Sequence, residues 1–94
     1  MLLSRFKIVG HSMMPGFSEN DNVLASSAPF ILRKPRIGDV VIFEKDKKQF
    51  VKRINKIDNG KYCLLGDNKN DSKDSRNFGL IERDQIKGKV ILKI

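Results

Sequence analysis

A chain of 94 residues with 39% hydrophobic residues, seven glycines and three prolines has the material for one modest core and no room for a second independent domain. Its single cysteine, Cys63, rules out an intrachain disulfide and any multi-cysteine metal site. Nineteen Lys plus Arg against eleven Asp plus Glu give a formal charge of +8, but the cations are scattered and lack the repeated aromatics of a single-strand binder, so nucleic-acid binding is not expected.

In chain order, the opening stretch Met1 to Val9 is apolar but interrupted by Ser4, Arg5 and Lys7. No run reaches the roughly 18 to 20 apolar residues of a membrane helix, so the chain as it stands is expected in the cytoplasm or at the periphery of a membrane. Short runs rich in Val, Ile, Leu and Phe at Arg5–Val9, Asn22–Ser26, Asp39–Glu44, Gln49–Ile57, Lys61–Leu65 and Lys89–Ile94 read as strands. Turn signals separate them at Met14-Pro15-Gly16, Glu19-Asn20-Asp21, Ile37-Gly38-Asp39 and Asp58-Asn59-Gly60, with a long polar stretch from Gly66 to Gly79. Asn59-Gly60 directly before Lys61 makes Gln49–Leu65 a hairpin. No window carries sustained helical periodicity with caps. The expectation is a single mainly β domain over residues 1–94, a small coiled β-barrel or sandwich.

Two loops depart from ordinary turn content. Ser26 to Arg36 holds an apolar tip, Phe30, Ile31 and Leu32, followed by Arg33, Lys34 and Arg36. Apolar side chains beside cations suit the surface of an anionic membrane, whereas the competing reading packs Phe30, Ile31 and Leu32 on the barrel. The loop from Gly66 to Arg76 is long and dense in hydrogen-bonding groups, as functional loops in compact domains often are.

The stretch Gly10-His11-Ser12-Met13-Met14-Pro15 sets the chain's only histidine beside a serine. A serine near a proline is ordinarily a turn residue, and a catalytic one needs a base within hydrogen-bond reach, a group that orients the base, and oxyanion donors. His11 is a poor base, because adjacent residues in an extended segment point to opposite faces. Lys52, in Gln49-Phe50-Val51-Lys52-Arg53-Ile54, is a better one. Alternation places it on the face of Phe50 and Ile54, with Arg53 opposite. Burial there would lower its pKa from about 10.4 toward the range where a neutral amine accepts a serine proton, while the plainer reading is a lysine snorkelling from a strand edge. Cys63 lies among strand residues and reads as a small apolar side chain. The carboxylates show no paired spacing, and His11 lacks partners for a zinc site.

Gly10-His11-Ser12-Met13-Met14-Pro15, then Gly38-Asp39-Val40-Val41-Ile42-Phe43, then Val51-Lys52-Arg53-Ile54, then Gly66-Asp67-Asn68 leading to Ser72-Lys73-Asp74-Ser75-Arg76, resemble in order the signature boxes of type I signal peptidases. The closing Ile86-Lys87-Gly88-Lys89-Val90 is similar to that family's final strand. The resemblance implies a serine endopeptidase that needs no metal or cofactor. In it Ser12 is the nucleophile, Lys52 the general base and Ser72 the hydroxyl that holds the Lys52 amine. It also implies Asp74 and Arg76 as a structural ion pair with Arg53 a further partner, Gly66-Asp67-Asn68 as a supporting turn, and the Ser12 backbone N–H as an oxyanion donor. Some members add a serine hydroxyl where this chain has Gly10. The implied partner is a protein precursor with an N-terminal leader.

The chain resembles a minimal core, since only Ile54 to Leu65 separates Lys52-Arg53 from Gly66-Asp67-Asn68, and the family's N-terminal anchor is not seen in it. Its size and GHSM opening are similar to the maturation proteases of nickel-type superoxide dismutase. Self-cleaving repressors share the dyad chemistry, but no DNA-binding region accompanies it here. A non-enzymatic, basic β-barrel binding module is the competing class.

Overall fold

The computed structural model describes residues 2–68 and 79–94. Strands β1 (Ser4–Lys7), β2 (Asn22–Ser26), β3 (Val40–Lys45), β4 (Lys48–Asp58), β5 (Lys61–Leu65) and β6 (Ile86–Lys93) form one sheet. A one-turn helix, α1 (Pro29–Leu32), follows β2, and a 3-10 turn at Arg83–Gln85 leads into β6. The strand order is β1-β2-β6-β3-β4-β5, every pairing antiparallel. The fold is mainly β as expected, but the sheet is open: β1 and β5 stand at opposite ends of the order and, among the described residues, no ladder closes it into a barrel.

Alternation along β3 explains how an open sheet holds a core. Val40 to Phe43 are all buried, with Val41 and Phe43 in one cluster and Val40 and Ile42 in the other. Successive residues point to opposite faces, so both faces of β3 are covered. The first face packs Ile54, Leu64, Tyr62, Ile81 and Ile86, and receives Phe30 from α1. The second packs Val23, Ala25 and Val90, and receives Ile8 and Met13 from the segment after β1. Connecting segments supply these lids where a sandwich would use a second sheet.

Two hairpins organise β3 to β5. Asn59 and Gly60 lie at φ 51° and 76°, the left-handed pair that an Asn-Gly turn accepts readily. The β3–β4 turn is made by Asp46 and Lys47, at φ 53° and 64°, and carries no glycine to announce it. Phe43 and Phe50 stack across this hairpin at 5.4 Å. β6, last in sequence, enters the middle of the sheet between β2 and β3.

α1 divides the expectation for the apolar tip. Phe30 is buried in the first cluster, with the Arg33 and Arg83 guanidinium carbons each 5.6 Å from its ring centre. Phe30 is therefore corrected from a membrane-facing residue to a core residue, because one helical turn directs it back onto the sheet. Ile31 and Leu32 remain 77% and 89% exposed.

Asp39 fastens this end of the molecule. Its carboxylate accepts from Arg33 Nη1 at 3.0 Å, from Arg33 Nη2 at 3.3 Å and from the Arg36 backbone N–H at 2.9 Å, with Lys89 Nζ at 3.9 Å. Burial pushes the carboxyl up, but these hydrogen bonds and the Arg33 and Lys89 charges outweigh it and hold Asp39 below its ordinary 3.8. A depressed carboxylate contributes stability that is complete above its unfolded pKa and lost as pH falls through the folded one. Asp39→Asn is expected to lower unfolding free energy by about 1 to 2 kcal/mol near neutrality. In urea melts across acid pH, the gap to the wild type should narrow below the ordinary carboxylate range; a gap constant down through that range would refute the assignment.

Candidate active site

The segment after β1 is closed on itself by Ile8 N–H donating to Asp21 O and Asn20 N–H to Ile8 O, each at 2.8 Å. Within it, Met14 N–H donates to His11 O at 3.1 Å and Phe17 N–H to Met13 O at 3.0 Å, while the Met13 side chain is 1% exposed. A buried anchor beside two turns fixes the backbone that carries Ser12. Gly10, two residues earlier, adopts φ +83°, a region side chains rarely enter, and its N–H donates to Glu19 Oε2 at 3.0 Å. Among the described residues no atom beyond its chain neighbours lies within 4 Å of where a Cβ would stand, so backbone conformation favours glycine there.

Lys52 sits on β4 opposite Val41, a member of the first cluster, and is only 4% exposed. Its Nζ donates to Ser12 Oγ at 2.7 Å, across 40 residues of sequence. The snorkelling alternative for Lys52 is excluded by this burial, although at this position β4 is paired with β3 on one side and with no described strand on the other. His11 lies elsewhere: its imidazole is largely exposed, with Nε2 3.8 Å from Glu19 Oε1.

Alternation sends Arg53 to the opposite face, where it forms a fork on Asp67, Nε to Oδ1 and Nη2 to Oδ2, both 2.9 Å, while Nη1 donates to Gly38 O at 2.9 Å. The hydrogen bonds to Asp67 raise the Arg53 pKa above its ordinary value, against the lowering effect of burial. Asp67, expected only as part of a supporting turn, is thus a carboxylate that holds Arg53 in fork geometry. Asn68, next in line, donates from its backbone N–H to Ser12 O at 2.8 Å and from Nδ2 to His11 O at 3.1 Å. The Gly66-Asp67-Asn68 turn therefore grips the peptide carbonyls on either side of the Ser12 nitrogen and is itself tied to the residue beside Lys52. Ser72, Asp74 and Arg76 lie outside the described residues.

The Ser12 backbone N–H donates to no acceptor among the described residues. Beside it a cavity of about 130 Å³ is lined by Lys7, Val9, Ser12, Gln49, Val51 and Lys52. A second, of about 120 Å³, continues between Phe6, Lys7, Gln49 and Phe50. β1 and the first half of β4 thus face each other across a cleft without being paired. β5 pairs with β4 only from Arg53 to Asp58, so Lys48 to Lys52 present a second edge that no described strand occupies. Sequence reasoning missed the Asn68 clamp, the Asp67 fork and the Glu19 contact to Gly10; all three join distant segments, and no local signal announces them.

Among the described residues no three His, Cys, Asp or Glu side chains are grouped to hold a metal, and no helix is long and apolar enough to cross a membrane. The family model for signal peptidase, peptidase S26, matches residues 1–55 and 55–94. Signal peptidase IB of Staphylococcus aureus, in strains COL and MW2 among others, is 56% identical over 46 residues, which are 49% of this chain and 24% of that relative's length. The matched stretch is thus about a quarter of the curated relatives. With both halves of the chain matched by the family model, the protein belongs to the signal peptidase family, peptidase S26.

Proposed function

We propose that the protein is a serine endopeptidase that removes an N-terminal leader from a precursor by a Ser12/Lys52 dyad. The single observation that carries this reading is the 2.7 Å contact between Lys52 Nζ and Ser12 Oγ, made by an amine that is 4% exposed. Burial disfavours the ammonium and raises the fraction of neutral amine at ordinary pH. Neutral Lys52 takes the hydroxyl proton as Ser12 Oγ forms a bond to the scissile carbonyl carbon. The oxyanion so formed accepts from the Ser12 backbone N–H. As the intermediate collapses, the Lys52 ammonium passes its proton to the departing amine and the acyl group stays on Ser12. Water, losing a proton to Lys52, then releases the acid and restores the hydroxyl. Ser72 is assigned the role of orienting the amine, on the family resemblance.

The precursor fits as an extended strand in the cleft between β1 and the first half of β4. Main-chain hydrogen bonds would give affinity there, and the small cavity beside Ser12 suits small side chains next to the scissile bond. Asn68 is proposed as a positioning residue, since it holds the carbonyls of His11 and Ser12 and so sets where Oγ and the Ser12 N–H point.

A synthetic leader peptide with alanines before the scissile bond provides the assay. Ser12→Ala and Lys52→Met are each expected to lower kcat by at least about a thousandfold with thermal unfolding little changed. Wild-type activity should rise with pH as Lys52 loses its proton and then level off. Folded variants that cleave at the wild-type rate would sink the dyad. Asn68→Ala keeps the backbone donor but loses the one to His11 O, and a drop of about tenfold in kcat at nearly constant KM is expected. A change confined to thermal stability would instead make Asn68 a purely structural residue.

A further inference from the structure

We propose that α1 and the loop after it form a docking surface for an anionic lipid bilayer. Phe30 is buried in the core with two guanidinium groups near its ring, so the turn it anchors presents the next two residues, Ile31 and Leu32, to solvent. Leu32 also lines an open groove of about 700 Å³ with Ala28, Pro29 and the half-exposed Ile91 of β6. β1 starts at this end as well: Ser4 pairs with Ala25, one residue before Ser26 leads toward α1, and Leu2 and Leu3 just before it are 82% and 61% exposed. Arg33 and Arg36 line the same groove.

The charges decide the occupant. Arg33 is neutralised by Asp39, whereas the Lys34 ammonium and the Arg36 guanidinium form no ion pair with a carboxylate among the described residues, Arg36 meeting Asp39 through its backbone N–H alone. A protein partner could match the apolar groove alone, whereas apolar side chains projecting beside unneutralised cations, on a chain of net charge +8, match acyl chains beneath anionic headgroups. The surface shares no residue with the Ser12/Lys52 cleft, so this proposal stands apart from the catalytic reading.

Vesicle flotation distinguishes the occupants, using vesicles of phosphatidylcholine alone and of phosphatidylcholine with an equal part of phosphatidylglycerol. The wild-type chain is expected to float with the mixed vesicles and not with the neutral ones. Ile31→Ser/Leu32→Ser leaves the net charge untouched and is expected to lower partitioning at least about tenfold. Lys34→Gln and Arg36→Gln should each cost about fivefold, while Lys48→Gln and Lys56→Gln, on exposed parts of β4, should cost less than half as much. Equal losses for all four lysine and arginine variants, or undiminished floating of the Ile31/Leu32 variant, would reduce the effect to net charge and overturn the surface. No floating of the wild type overturns it too, as does concentration-dependent self-association that Ile31→Ser/Leu32→Ser abolishes, which would assign the face to a second copy.

Discussion

An amine buried beside a serine hydroxyl is the constraint on which the rest of the arrangement depends. A lysine 4% exposed on an apolar strand face is tolerable only if its nitrogen finds a partner, and Ser12 Oγ at 2.7 Å is one. Holding that distance requires two parts of the chain to be rigid relative to each other. β4 is fixed by its ladder with β3 and by the Phe43–Phe50 stack. The Ser12 segment is fixed from below by buried Met13 and from the side by Asn68, and the Asp67–Arg53 fork joins that clamp to the residue next to Lys52. The alternation that sends Lys52 inward and Arg53 outward lets one strand serve the chemistry on one face and its support on the other.

An open sheet suits the proposed peptidase role. Closure would pair every edge, whereas here no described strand pairs with the second edge of the first half of β4, across from β1, and an extended substrate strand could complete the pairing beside Ser12. The core survives the opening because the Ser12 segment and α1 cover the two faces of β3. Both covering segments also present something outward, the first the proposed nucleophile and the second the exposed Ile31 and Leu32.

Much of the sheet was legible in the sequence. Asn22–Ser26 and Lys61–Leu65 coincide with β2 and β5, and the other strands differ at their ends, most at β6, which begins three residues earlier than Lys89 because Ile86 pairs with Phe43. Asn59-Gly60 announced its hairpin, since its left-handed conformations are chemically encoded; Asp46-Lys47 did not, because those residues adopt the same conformations only when the flanking strands impose them. The apolar tip was ambiguous for a related reason. Three consecutive apolar residues do not say which of them faces inward, and a single helical turn sent Phe30 to the core and its neighbours to solvent.

By itself, the sequence determined a mainly β chain with a serine in a turn, a lysine on an apolar strand face and an ordered set of motifs similar to one peptidase family. Those properties are local: they follow from side-chain period, turn chemistry and residue order. Tertiary structure alone decided that Lys52 meets Ser12, that Asn68 grips the carbonyls beside the Ser12 nitrogen, that Arg53 pairs with Asp67, and that the sheet stays open. Each of these depends on how segments far apart in sequence are brought together by the order in which strands pair. Strand pairing is set by packing over the whole core, which no short stretch of sequence records.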